Sequence, residues 1–253
     1  MIRSLQIIGV LVLLTVGWLV MPGGGVPILA YHQVSSLPEI YSIDAAEFEQ
    51  QMKYLSDQGY TAISLAVFFA AGGKGDKLPP RPVIITFDDG YEDNYLTALP
   101  IMEKYNMKGT VFVIAGQVEK PEYMTWEQLK AAQARGMEIG SHTFSHVALN
   151  ELPPAEQLNE LVRSKQMLET KLGQPITFLA YPYGQYTGDT IAALKQAGYI
   201  GACTGQPGLA RVQGDVYQLN RVNVPRPKYG LWEFRVRLLR AQIYGKLMTV
   251  LNQ

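Results

Sequence analysis

Among 253 residues only Cys203 is a cysteine, which excludes an intramolecular disulfide and any cysteine-rich metal cage. Charge is scarce and balanced: 22 Lys and Arg stand against 22 Asp and Glu, for a formal net charge of zero. That balance removes the bulk electrostatic case for nucleic acid or an anionic membrane surface, so any charge-based function must be local. There are only three histidines, His32, His142 and His146. No tandem repeat is visible, and no low-complexity linker beyond the first 25 residues. Gly72-Gly73-Lys74-Gly75 lacks the Gly-Lys-Ser/Thr ending and the preceding strand of a phosphate loop, and reads as a surface turn.

What is present begins with an apolar run. Arg3 precedes Leu5 to Met21, interrupted only by Gln6 and Thr15, and Pro22-Gly23-Gly24-Gly25 ends the pattern. The run predicts an N-terminal hydrophobic helix in a membrane. It is at the short limit for a span yet longer than many secretory h-regions, so an uncleaved anchor and a cleaved signal both fit, with a buried core helix as the plainer alternative. Either membrane reading exports the rest. The expected division is 1–25 as anchor or signal plus linker, and 26–253 as one catalytic domain.

Beyond the leader, short β-like runs alternate with helical patterns. Candidate strands are Ile28 to Tyr31, Thr61 to Ser64, Val83 to Phe87, Thr110 to Ile114, Met137 to Ser141, Thr177 to Tyr181, Tyr199 to Cys203 and Arg221 to Val224. Phe48, Met52 and Leu55 mark a helix ending at Gly59; Thr125-Trp126-Glu127-Gln128 reads as a capping box; a third helix follows Pro153-Pro154 and stops before Gly173. A last one, about Trp232 to Met248, carries Arg235, Arg237 and Arg240 and reads as a packed helix with a solvated basic face. Strict alternation of this kind implies an α/β fold with a mainly parallel sheet, and seven or eight repeats favour a (β/α) barrel over an open sheet.

Chemically capable side chains gather at the carboxyl ends of these strands. His32 follows the first, Asp88 and Asp89 follow Val83 to Phe87, His142 and His146 follow Met137 to Ser141, and Tyr183 follows Phe178 to Pro182. In parallel α/β proteins those ends open on one face, where active sites lie. Singly, each residue has a structural explanation: Asp89-Gly90 is a turn pair, and a loop histidine is commonly just hydrogen-bonded. Jointly, they suggest a metal site. The His-x-x-x-His spacing on a helical turn aims both rings one way; with one carboxylate it makes a two-His, one-Asp set with positions left for water and substrate. The second carboxylate is then free to act as a base. Cys203 reads as a buried small residue rather than a nucleophile.

Thr86-Phe87-Asp88-Asp89-Gly90-Tyr91, followed by Ser141-His142-Thr143-Phe144-Ser145-His146, resembles the first two motifs of the polysaccharide deacetylases, carbohydrate esterase family 4 or the NodB-homology domain. Ala180-Tyr181-Pro182-Tyr183-Gly184 is similar to the third. The resemblance implies a distorted (β/α) barrel, a divalent metal that is often zinc, and removal of acetyl groups from sugars. It makes Asp88 the catalytic base, Asp89 a metal ligand beside His142 and His146, and Tyr183 the donor of a backbone N–H to the oxyanion. Two positions depart from the pattern: Ala180 stands where the family usually has a base-orienting arginine, and no histidine follows His146. Ile28-Leu29-Ala30-Tyr31-His32-Gln33-Val34 resembles the opening of the exported poly-N-acetylglucosamine deacetylases, a circularly permuted branch in which the acid histidine comes first, so His32 takes that role. Arg221 offers a charge partner for the base, with a surface role as the alternative.

The expected function is therefore metal-dependent removal of N-acetyl groups from N-acetylglucosamine units of an extracytoplasmic polysaccharide, with zinc the divalent metal expected. The partners are the glycan and, through the N-terminal segment, a membrane; nucleic acid is not expected. Alternatives are a non-catalytic carbohydrate-binding or assembly factor on the same barrel, or a deacetylase of peptidoglycan, O-acetylated xylan or a lipid-linked sugar. Trp126 reads as core or helix cap; Tyr91 and Tyr186 are candidates for stacking on sugar rings.

Overall fold

The computed structural model describes residues 24–72, 77–211 and 214–251. The apolar run from Leu5 to Met21 and Lys74 lie outside them. Among the described residues no helix is long and apolar enough to cross a membrane.

Ten strands occur in the described chain: β1 (Ile28–Tyr31), β2 (Gln33–Val34), β3 (Ser42–Ile43), β4 (Thr61–Ala62), β5 (Pro82–Phe87), β6 (Thr110–Val113), β7 (Glu138–Ser141), β8 (Phe178–Ala180), β9 (Gly201–Pro207) and β10 (Leu219–Asn223). A closed ring of parallel strands runs β1-β10-β9-β8-β7-β6-β5 and returns to β1, where Ile28 pairs with Ile84 and Tyr31 with Phe87. This is the expected (β/α) barrel, with seven strands in the ring. The predicted strand at Thr61 is the exception: β4 pairs only with the foot of β5, Thr61 opposite Pro82, and stays outside the ring. β2 and β3 pair with each other beside the mouth, and they are too short to leave a hydrophobic period in the sequence.

Side-chain alternation sorts the strands into two cores. Ile28, Ile84, Phe112, Phe178, Cys203 and Leu219 form the inner cluster, and Leu65 and Phe68 of α2 (Leu65–Ala70) join it from below. The intervening residues, among them Leu29, Tyr31, Val83, Ile85, Val111 and Leu179, face outward into a larger cluster with the helices. Burying one such side chain stabilises the fold by roughly 1.5–3 kcal/mol. The inner space is tight: a Cβ on Gly140 would lie 2.5 Å from the Phe112 ring.

The outer layer contains α1 (Ala45–Asp57), α3 (Leu99–Lys104), α4 (Trp126–Ala134), α5 (Pro154–Leu172), α6 (Gly188–Gln196) and α7 (Leu231–Leu251). The capping box before α4 forms as read from sequence, with Gln128 N–H donating to Thr125 Oγ1 at 3.2 Å and Thr125 N–H to Gln128 Oε1 at 2.8 Å. Trp126 is buried in the outer core, the structural role expected of it. α5 ends at Gly173 in the left-handed region, φ 69°. α7 packs through Phe234 and Leu238, and its Arg237 pairs with Glu233. Two strand starts shift by two residues. β9 starts after Tyr199, whose N–H closes the end of α6 on Leu194 and whose hydroxyl donates to Leu161; β10 starts at Leu219, so Arg221 is mid-strand.

Candidate active site

The inner-face residues of each strand are two apart, and at the mouth the series turns polar: Ile84 and Thr86 lead to Asp88, Ile28 and Ala30 to His32, Gly140 to His142. Asp88, Asp89 and His142 are buried, and His32 and His146 are half-buried.

Asp88 is gripped by Arg221 of β10, which is separated from β5 in the ring by β1 alone. The guanidinium donates to both carboxylate oxygens, Nη1 to Oδ1 at 2.7 Å and Nη2 to Oδ2 at 2.8 Å, and its Nε donates to the carbonyl of Thr204 at 2.9 Å. Arg221 is 3% exposed, so its surface reading is overturned: leucine at 219 starts the strand, and alternation then turns 221 inward. Burial pushes the Asp88 carboxyl up, but the Arg221 charge and hydrogen bonds outweigh it and hold the group well below the usual carboxylate range. This bidentate pair supplies beside Asp88 the guanidinium that Ala180 does not.

Asp89 is different. It adopts φ 75°, and Gly90 follows at φ 82°, so the chain turns sharply away and presents the carboxylate to the mouth. Its Oδ1 lies 3.5 Å from His142 Nε2 and 3.3 Å from His146 Nε2. His142 Nδ1 is 2.7 Å from the carbonyl of Ala180, an acceptor only, which assigns the proton to Nδ1 and leaves the Nε2 lone pair facing Asp89. Asp89 Oδ1 is buried without a hydrogen-bond partner. An acceptor oxygen and imidazole lone pairs converging on one point fit a cation, and the three ligand atoms lie within 4.8 Å of one another. Without one, burial and then the Asp88 charge push the Asp89 carboxyl up to about 7, and burial pushes His142 down to about 3.

The two histidines do not share a helical turn, as their spacing suggested. Residues 142–146 form an irregular loop in which Thr143 (φ 66°) and His146 (φ 63°) are left-handed, and those two reversals bring the rings to 4.8 Å between centroids. The loop is held by a residue the sequence reading missed. Glu160 of α5 accepts from Phe144 N–H at 3.1 Å, Ser145 N–H at 2.9 Å and Ser145 Oγ at 2.9 Å. Its position was a usable signal, since it falls on the buried stripe of Gln157, Leu161, Ser164 and Leu168, where an unpaired acid is costly.

His32 stands beside Asp88, its Nε2 4.0 Å from Asp88 Oδ2. Its ring stacks on Tyr41 with centroids 4.6 Å apart, and its backbone carbonyl accepts from Asn94 Nδ2 at 2.7 Å. Burial lowers its pKa, partly countered by Asp88. Tyr183 sits in a turn at Pro182–Gly184 with φ 58°, its ring 4.9 Å from that of His146 and 67% exposed. A cavity of about 620 Å³ opens there, lined by His146, Val147, Ala148, Glu151, Leu152, Tyr183 and Gln185. Of the tyrosines considered for stacking on sugar, Tyr91 is stacked on Tyr123 and Tyr186 on Tyr181. Cys203 is fully buried with its thiol pushed up to about 12, an inert group.

Known proteins share this arrangement of strands and motifs. The family described as polysaccharide deacetylase matches residues 75–202. The Bacillus subtilis protein YxkH, which carries the name of a polysaccharide deacetylase, is 37% identical over 198 residues, 78% of this chain and 71% of that one. Poly-beta-1,6-N-acetyl-D-glucosamine N-deacetylase of Staphylococcus aureus is 29% identical over 180 residues, 65% of this chain and 62% of that one, so the match spans less than two thirds of that relative. Among solved structures, the Streptococcus pyogenes deacetylase PplD in complex with acetate superposes with a TM-score of 0.79 at 28% identity, over 88% of this chain and 99% of that chain. Barrel, motif residues and relatives agree: this chain belongs to the polysaccharide deacetylase family.

Proposed function

We propose that the protein is a zinc-dependent hydrolase that removes acetyl groups from N-acetylglucosamine units of an extracytoplasmic polysaccharide. The observation that carries this reading is the asymmetry of the two adjacent acids: Asp88 is saturated by Arg221, whereas Asp89 converges with His142 and His146 in a donor set that fits a divalent ion. The relative from Staphylococcus aureus, named for N-deacetylation of poly-beta-1,6-N-acetyl-D-glucosamine, supports the choice of sugar. The apolar run from Leu5 to Met21 supports export and membrane attachment.

When bound by Asp89, His142 and His146, a divalent ion supplies Lewis-acid polarisation of the acetyl carbonyl and of the attacking water. Asp88 takes the proton of that water. Arg221 keeps Asp88 ionised and fixes its two oxygens in place, trading some basicity for orientation. His32 is neutral in the resting site, because burial lowers its pKa, and its Nε2 is 4.0 Å from Asp88 Oδ2. The proton gained by Asp88 therefore has a short path to His32 and from there to the departing nitrogen. The Tyr183 backbone N–H supports the developing oxyanion, a contribution of about 3 kcal/mol in comparable sites.

The alternative of a non-catalytic glycan-binding barrel drew on Ala180 in place of an orienting arginine, and Arg221 supplies that charge from another strand. Acetate release from β-1,6- and β-1,4-linked N-acetylglucosamine oligomers, measured for the chelator-treated protein with and without added zinc, tests the proposal. Zinc-restored release that is absent in Asp88→Asn is expected. Undiminished release in chelator would falsify the metal dependence, and zinc binding without release from either oligomer would favour the binding-protein alternative.

A further inference from the structure

The cavity beside His146 is lined by one carboxylate, Glu151, and by no lysine or arginine. Its volume, about 620 Å³, is well within the roughly 300–1,000 Å³ of small-ligand sites and leaves room for a sugar next to the one under attack. Tyr183 offers an exposed ring as a platform at the boundary with the metal-ligand set, and Gln185 supplies a neutral hydrogen-bonding group on the same wall. A second cavity, about 290 Å³, lies where the ends of β9 and β10 meet α7, lined by Arg221, Arg237 and Arg240, of which Arg221 is paired with Asp88 and Arg237 with Glu233.

Resting on the function proposed above, we infer that the Glu151 cavity is a subsite for a glucosamine unit that has already lost its acetyl group. Hydrolysis of the amide leaves an amine that is protonated near neutral pH, so a partly processed polymer carries ammonium groups along its length. An ammonium is attracted to Glu151, which draws a deacetylated unit of a mixed chain into this cavity. The protein then acts faster next to a previous cut than on untouched polymer, and deacetylated units accumulate in runs.

The test uses the full-length zinc-loaded protein and oligomers of equal length that are either fully acetylated or carry one glucosamine on one or the other side of an acetylated unit. One of the two mixed isomers is expected to exceed the fully acetylated oligomer in kcat/KM by about two- to fivefold at low salt, the range of an exposed ion pair. The ratio should fall toward one at high ionic strength and in Glu151→Gln. In parallel, calorimetric affinity for a fully deacetylated oligomer should drop two- to fivefold in Glu151→Gln, a readout that needs no turnover. Equal ratios for all oligomers in the unmodified protein, or a preference and affinity that persist in Glu151→Gln, overturn the subsite. Absence of acetate release from every oligomer would instead strike the proposed function, with the calorimetric comparison still deciding whether Glu151 holds an ammonium.

Discussion

Strand β7 has a half-buried acid at its foot and a buried histidine just past its head, and the barrel treats the carboxylates at its two ends in opposite ways. At the foot, Glu138 accepts from Leu65 N–H at 2.9 Å, Ala66 N–H at 3.0 Å and Thr110 Oγ1 at 2.8 Å, so both of its oxygens are used, and they tie α2 to β6 and β7. At the mouth, Asp89 Oδ1 has no donor and faces two histidine nitrogens. Burial raises the pKa of both groups. The difference lies in what surrounds them: donors turn a buried acid into cement, while converging acceptors turn it into a socket.

The largest effect should come from removing the socket. Asp89→Asn is expected to lower kcat/KM by about 10³-fold through loss of the ion's charge stabilisation, while the melting temperature of the metal-free protein at pH 8 stays level or rises, because a strained buried charge has gone. A metal-free variant that melts well below the parent would mean Asp89 is cement after all. Arg221→Met strips Asp88 of its cation. It leaves Asp88 buried and uncompensated and should destabilise the protein by about 3–5 kcal/mol in denaturant titrations, with activity lost as well. At the foot, Glu138→Ala orphans two amide groups and a hydroxyl and should cost about 2–3 kcal/mol, with kcat/KM per folded molecule held within about twofold. A loss of activity beyond the loss of fold would break the division between the two ends.

The smallest effect is a pH dependence peculiar to the mouth. In the metal-free protein the Asp89 carboxyl titrates at about 7, above its unfolded value of roughly 3.9, so the stability it contributes is fully present below the latter and is lost as pH rises through about 7. An incoming ion must displace that proton. Apparent zinc affinity should therefore fall about tenfold per pH unit on acidification below about 7, with one proton released per ion in calorimetry at pH 6. His142, pushed down to about 3, does not compete in that window. Affinity that is flat between pH 5 and 7 would show that Asp89 is already ionised before the ion arrives.

The mouth was legible in the sequence for a geometric reason. His32, Asp88 and His142 continue inner-face series that begin at Ile28, Ile84 and Gly140, so a strand period of two carries the reader from core to site. Arg221 obeys the same period, but placing it at a strand start concealed the fact, and only the start at Leu219 turns it inward. The loop from His142 to His146 was beyond pattern reading: its convergence depends on left-handed residues at Thr143 and His146, held by Glu160 from a helix far along the chain. Whether the strand at Thr61 joins the ring was not legible, because a two-residue pairing at the foot of β5 looks, in sequence, like any short member of the ring.

The grip of Arg221 on Asp88 spans 133 positions of chain, and the strand that carries Arg221 is also the one that closes the ring against β1. A chain ending short of Leu219 has the acids and the histidines but neither a sealed wall nor a cation on Asp88, so the paired site is whole only once β10 is in place.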